Sequence, residues 1–343
     1  ALSALGCTTL LTSSGEQSLP AIETLVQGVV KLSHEAYGFG ATHRRLMVTK
    51  LRGSDFAGGY HDARLVTGGL EVYPRTEVSR SSRSETAGNL TSGNDQVDTL
   101  LGGGLEPGTS TLVMGTTGAG KSTLATQYVQ QAAERGARSL MLCFDERAET
   151  LVRRNDALGM PLRARVDDGT VILRDISAGE ITPGELAHIV RSAVDEEGVR
   201  LVVVDSITGY FAAMAGREDL VVQLHELFTY LGGTGVLTLL TMPMHGTLGG
   251  EAELDVSYLA DTVLLMRHFE AAGAVRKCIA VLKKRLGPHE TTIRELTIGQ
   301  GGLRVGEPLV DFSGLLSGAP TYHGSEGRLL HRHGALVEPA DGS

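Results

Sequence analysis

The segment Gly115-Thr116-Thr117-Gly118-Ala119-Gly120-Lys121-Ser122 constrains this chain more than any other feature. Its GxxxxGK[ST] spacing sets a glycine-rich turn between an apolar run, Thr111 to Met114, and a helix-compatible stretch that continues through Thr123. Such a turn aims successive backbone N–H groups at a phosphate, and the positive end of the helix dipole adds to them. Lys121 is suited to neutralise the outer phosphates, and Ser122 to set a hydroxyl on a magnesium ion. Residues 115–123 therefore read as the phosphate cradle of a nucleotide site. In a chain with 45 glycines the pattern also arises by accident, so the flanking strand and helix carry much of the weight.

Acidic strand ends supply the expected partners, because a parallel sheet presents the carboxyl ends of its strands to a ligand. Leu201-Val202-Val203-Val204-Asp205 ends a valine-rich run on a carboxylate that either joins Ser122 in holding magnesium or caps the next helix. Leu140 to Phe144 ends in Asp145-Glu146. Glu146 is expected to take the proton of an attacking water, with Asp145 positioning it or taking part; the other reading is an acidic first turn for the helix starting near Ala148. Lys283 and Arg285 follow a long apolar strand on a late hairpin. There they either stabilise phosphoryl transfer on a neighbouring subunit's nucleotide or form a solvated basic turn.

From Asp95 onward, short apolar runs alternate with longer segments of 3.6-residue period, which predicts an α/β fold around a mostly parallel central sheet. Strands are expected over 111–114, 139–144, 170–174, 201–204, 235–241, 262–268 and 275–282, and helices over 122–134, 148–158, 183–196 and 220–231. Segments 262–282 and 291–305 lack intervening helices and should close the sheet as a C-terminal hairpin edge. With 41% hydrophobic and 21% charged residues among 343, the chain can bury one large core or two smaller ones. A net charge of -9 argues against a nucleic-acid-binding surface over the whole protein. Cys7, Cys143 and Cys278 are far apart and form no CxxC, so neither a disulfide framework nor a zinc ribbon is encoded, and the last two belong in the core. No apolar run approaches a membrane span and no leader pattern opens the chain, so the expectation is a cytoplasmic protein with no membrane partner.

Residues 1–76 resemble residues 235–309. At one constant offset Lys50 and Arg52 fall on Lys283 and Arg285, Gly40 on Gly273, Val48 on Val281, and Gly68-Gly69-Leu70 on Gly301-Gly302-Leu303; after a small gap, Leu10-Leu11-Thr12 matches Leu239-Leu240-Thr241. The match reads as an ancestral duplication in which 1–76 is the C-terminal part of a first domain without its P-loop, or as an extra hairpin module. Residues 77–92, poor in apolar side chains, are expected to be a linker, 93–313 a complete nucleotide-binding domain, and 314–343 a flexible tail.

The P-loop, the acidic pair after Met141-Leu142-Cys143-Phe144, the Leu201-to-Ser206 strand and the Lys283-Lys284-Arg285 hairpin together resemble the RecA-like ATPases, most closely the KaiC family of circadian-clock-type ATPases and autokinases. Ser92-Gly93 through Leu100-Leu101-Gly102-Gly103-Gly104-Leu105 is similar to the opening of a KaiC domain. Lys50-Leu51-Arg52-Gly53-Ser54, the Tyr60 region and Gly69-Leu70-Glu71-Val72-Tyr73-Pro74 are similar to the end of a first KaiC domain, so the resemblance covers residues 1–320. It implies a RecA-like P-loop fold, ATP and Mg2+ as ligands, a homo-oligomeric hexameric ring with nucleotide at subunit interfaces, slow hydrolysis, and regulatory protein partners. Carried over, Lys121 and Ser122 bind phosphate and magnesium, Asp145 and Glu146 are the catalytic acidic pair, Asp205 is the second metal-holding acid, and Lys283 and Arg285 contact the neighbour's nucleotide. The family's phosphorylation pair falls on Ser257-Tyr258, where the serine is kept and tyrosine replaces threonine, a departure from two-site phosphorylation. A runner-up resemblance, to RadA- or DnaB-like DNA motors, rests on Lys283-Lys284-Arg285-Leu286-Gly287; DNA is a partner only in that reading.

Overall fold

In a computed structural model, which describes residues 7–14, 20–35, 42–75, 88–177, 179–214, 220–244 and 256–324, the apolar runs become strands and the amphipathic segments helices. The chain divides into two units. The first contains α1 (Pro20–Leu25) and an antiparallel meander of β1 (Gly28–Glu35), β2 (His43–Leu51), β3 (His61–Val66) and β4 (Gly69–Tyr73), paired in chain order.

The second unit begins with α2 (Asp95–Leu100), β5 (Ser110–Gly115), α3 (Lys121–Glu134), β6 (Arg138–Cys143), α4 (Ala148–Ala157), α5 (Leu162–Asp167) and β7 (Val171–Asp175). It continues through α6 (Pro183–Asp195), β8 (Val199–Asp205), α7 (Ile207–Ala213), α8 (Leu220–Gly233) and β9 (Leu237–Pro243). The strands β10 (Thr262–Ala271), β11 (Ala274–Lys284), β12 (Arg294–Gly299) and β13 (Gly302–Pro308) follow, then the short pair β14 (Phe312–Ser313) and β15 (Thr321–Tyr322). Its nine-stranded sheet has the order β13-β12-β11-β10-β5-β9-β8-β6-β7. Pairing is parallel from β10 to β7 and antiparallel from β10 to β13, the expected hairpin edge.

Helices on both faces explain why the central strands are apolar at consecutive positions rather than alternate ones. Along β5, Val113 joins Leu124, Tyr128 and Val129 of α3 on one face, while Leu112 joins Leu186 and Val190 of α6 and Leu231 of α8 on the other. Cys143 and Cys278 are buried as expected, and burial pushes the Cys143 thiol up to about 12, so it stays protonated. The long helices match the periodic segments within a residue or two. Sequence periodicity missed α1, α2, α5 and α7, which are too short to display a period; α2 and α7 are set by side-chain caps, Asn94 accepting from Gln96 N and Val97 N, and Ser206 from Gly209 N.

Two boundaries differ from expectation. Most of the expected linker, 77–87, lies outside the described residues, but its end belongs to the fold: Leu90 bridges Leu105 and Ser92 is buried. The expected flexible tail also starts too early. Leu315 is 2% exposed, Phe312 stacks on Tyr322, and Arg267 donates to Leu316 O, so these few core formers are enough to fold residues 314–324 back; 325–343 lie outside the described residues.

The sequence repeat reappears as matched register. Leu46 faces His61 and Arg44 faces Ala63 in the first unit; Ile279 faces Arg294 and Lys277 faces Leu296 in the second. Both opening hairpins shift register at one point, skipping Thr49 on β2 and Leu282 on β11. Even side-chain contacts recur. Lys50 donates to Glu23 O and Arg52 to Thr24 O, as Lys283 does to Ser257 O and Arg285 to Tyr258 O.

Between Lys283 and Arg285, Lys284 turns inward: its side chain is 1% exposed, pairs with Glu106 Oε1 at 2.8 Å, and donates to Leu101 O and Gly104 O. It fastens the segment after α2 to β11. Lys284→Ala should destabilise the second unit by about 3–5 kcal/mol, because Glu106 would be left as an uncompensated half-buried charge. Urea denaturation would test this, and Lys284→Met with Glu106→Leu should recover most of the loss.

Candidate functional site

α3 starts without a side-chain cap: Gly120, at φ 111, occupies the position before it. The first N–H groups of a helix have no intrahelical partner, so an uncapped start keeps them available to an anion. The loop Gly115 to Gly120 runs from the end of β5 into that start, held by Thr116 N to Met266 O and Ala119 N to Thr116 O. Thr116 Oγ1 also lies 2.8 Å from His268 Nδ1. Burial, then Lys277 and Lys121, hold His268 below the usual histidine value, so the ring stays neutral at neutral pH.

Lys121 is 8% exposed and donates to Gly115 O at 2.9 Å and Thr116 O at 3.0 Å. Burial lowers its ammonium below the ordinary lysine value, opposed by Asp205 and Asp145. The cation and both acids therefore converge from β5–α3, β8 and β6, as expected from the parallel order. Asp205 ends β8, where Thr241 of β9 donates to its Oδ1. Ser206, the cap of α7, donates to Asp145 Oδ2. Ser122 and Thr123 lie in the first turn of α3.

A hydroxyl at Ser122 and a carboxylate at Asp205 are hard oxygen donors of the kind magnesium takes while keeping most of its water. Among the described residues, no three His, Cys, Asp or Glu side chains cluster as a metal cage, so an ion here would depend on the nucleotide's own oxygens. Glu146 is not drawn inward with Asp145. It turns toward α4, where Arg154 Nη1 lies 2.7 Å from its Oε1.

Lys283, Arg285, Ser257 and Tyr258 gather at the other end of the sheet. Thr262 pairs with Lys284 on one side and Thr111 on the other, so the end of β11 lies level with the start of β5. The P-loop begins four residues later at Gly115, roughly 13 Å along the strand. Lys283 Nζ donates to Ala260 O at 2.8 Å, Arg285 Nη2 to Tyr258 O at 2.8 Å, and Arg285 Nη1 lies 3.3 Å from Asp261 Oδ1. Both cations thus wrap the 3-10 turn Ser257–Leu259 that carries Ser257 and Tyr258. Reasoning from the sequence missed the roles of Thr241, Ser206 and His268, whose partners are distant in the chain, and of Arg154, whose partner lies just before its helix.

A protein-family model described as ATPase: KaiC matches residues 90–310. The circadian clock protein KaiC3 of Synechocystis sp. is 26% identical over 334 residues, covering 94% of this chain and 65% of that protein. The circadian clock oscillator protein KaiC of Synechococcus elongatus is 23% identical over 335 residues, covering 93% of this chain and 63% of the relative. The corresponding protein of Picosynechococcus sp. is 24% identical over 282 residues, with 81% and 54% covered. The chain thus spans less than two thirds of the length of these relatives. Among the described residues no helix is long and apolar enough to cross a membrane.

Gly209 in α7 closes the site from beneath: a Cβ there would lie 2.4 Å from Asp145 Oδ1 and 2.5 Å from Phe144 Cβ. Gly209→Ala should push Asp145 off Ser206 and lower stability by about 1–3 kcal/mol. Denaturation with and without nucleotide measures this; an unchanged midpoint would show that the turn yields.

Proposed function

The chain belongs to the KaiC family of ATPases, and from that premise we propose that it is a ring-forming, ATP-hydrolysing switch whose nucleotide state and phosphorylation at Ser257 govern the binding of regulatory protein partners. The observation that carries this reading is the separation of Lys283 and Arg285 from the P-loop of their own chain. Cations held at the far end of β11 are too distant for their own phosphates, yet lie at an end of the sheet that can meet a neighbour's.

In this reading the N–H groups at the start of α3 and Lys121 hold the β- and γ-phosphates. Ser122 and Asp205 hold Mg2+, which supplies charge neutralisation on the phosphate oxygens. Asp145 braces the site through Ser206, and Glu146 accepts the proton of the attacking water. Ser257 and the exposed Tyr258, beside the same cations, face the same neighbouring site, where a hydroxyl can compete with water for the γ-phosphoryl group.

The first unit is, on this proposal, the C-terminal part of a first KaiC-type domain. Its register, bulge and Lys–Arg clamp support that assignment. So does its exposed apolar face: Leu32, Leu65 and Leu70 correspond to Met266, Ile298 and Leu303, which pack in the core with α3. A cytoplasmic location completes the proposal, in keeping with free cysteines at Cys7, Cys143 and Cys278.

Incubation with γ-labelled ATP and magnesium should release phosphate and leave label on Ser257, mapped by mass spectrometry. Label found only elsewhere would remove Ser257 from the proposal. Lys121→Ala and Arg285→Ala should each slow hydrolysis by about 10²-fold. Mixing these two variants should restore part of it, since the P-loop of one then meets the cations of the other. A mixture as slow as its components would sink the intersubunit reading, and full turnover by Lys121→Ala would overturn the P-loop assignment.

A further inference from the structure

We propose that Arg154 is a positioning residue that holds Glu146 away from the phosphate site, so that opening one ion pair limits hydrolysis; this rests on the reading of Glu146 as the base. Asp145 and Glu146 follow β6 in the turn before α4, and there their carboxylates divide, Asp145 toward Ser206 and Lys121, Glu146 toward Arg154 of α4.

The pairing on α4 is selective. Arg153 and Arg163 both engage Glu149, which leaves Arg154 to Glu146. The start of α4 is tied to β7, where Asp175 Oδ1 accepts from Ala148 N at 2.6 Å, so Arg154 rides on an element fixed to the sheet. Glu146 lies in the turn between β6 and α4, outside any regular element.

A base works only within hydrogen-bond reach of the proton it takes. In the hydrolytic step the water oxygen bonds to the γ-phosphorus, and the bond from that phosphorus to the β–γ bridging oxygen breaks. Its electron pair leaves on ADP, and the water's proton passes to the Glu146 carboxylate. A carboxylate bound to guanidinium is turned aside from any water at the phosphate. With side-chain exposures of 41% for Arg154 and 29% for Glu146, the pair is screened by water and opens readily. A contact of this kind holds the rate back by about fivefold at most.

The test compares the wild-type chain with Arg154→Gln, Arg154→Lys, Glu146→Gln and the double variant Glu146→Gln/Arg154→Gln, reading kcat, KM and the Kd for a fluorescent ATP analogue. Arg154→Gln should raise kcat by about three- to fivefold with KM and Kd unchanged. Arg154→Lys, which keeps the charge, should stay near wild type, and the double variant should be as slow as Glu146→Gln. A kcat for Arg154→Gln at or below wild type would overturn the proposal, as would an equal acceleration in the Glu146→Gln background. Wild-type turnover by Glu146→Gln would instead remove Glu146 as the base, a failure of the underlying reading that is distinct from failure of the latch. If neither wild type nor Arg154→Gln hydrolyses ATP while both bind the analogue, the latch is likewise overturned.

Discussion

The site depends on backbone N–H groups that the fold leaves unbonded at the start of α3. Those groups have no carbonyl to accept them within the helix, and Gly120 offers no side chain in place of one. Such a helix start is tolerable only where solvent or an anion can reach it, and the sheet sets it at the carboxyl end of β5. Because β5, β9, β8 and β6 run in parallel, their carboxyl ends lie on the same side. Lys121, Asp145 and Asp205 meet there although long stretches of chain separate them. Convergence is thus a consequence of strand direction, and the helices packed on both faces make it rigid.

The antiparallel edge gives the same sheet a second, chemically different end. β11 returns against β10, which carries Lys283 and Arg285 back to the level where β5 begins. The two cations are engaged there by the carbonyls of the turn bearing Ser257 and Tyr258, so anything that draws them elsewhere must loosen that turn. Lys284 points the other way and carries a structural load. One basic tripeptide therefore divides between a buried clamp and two edge cations, because successive strand residues face opposite sides. The first unit repeats the carbonyl contacts of Lys283 and Arg285 with Lys50 and Arg52. That recurrence ties the contact to the architecture of the hairpin itself.

The P-loop, the Val-rich strand ending at Asp205 and the long helices were legible because each is local: a spacing, a run or a period within one segment. The helix α7 was not legible, since what defines it is a single serine cap whose hydroxyl also reaches Asp145. Nor was the folding back of residues 314–324, which depends on Leu315 finding a cavity already lined by Phe269 and Cys278. Thr241, His268 and Arg154 give no sequence signal because a lone threonine, histidine or arginine is uninformative until a partner is beside it.

The sequence by itself determined that the chain binds a nucleotide phosphate, that its core is a mostly parallel α/β sheet, and that residues 1–76 resemble residues 235–309. These follow from patterns that act within a few residues, where backbone geometry and burial leave little choice. Only the tertiary structure decided which way each charged group points. It sent Asp145 to the P-loop and Glu146 to Arg154, and it buried Lys284 between the half-buried Lys283 and the exposed Arg285. Adjacent residues of one charge type are interchangeable in sequence. They become distinct only when the pleat of a strand and the packing of the next element assign each to its own side.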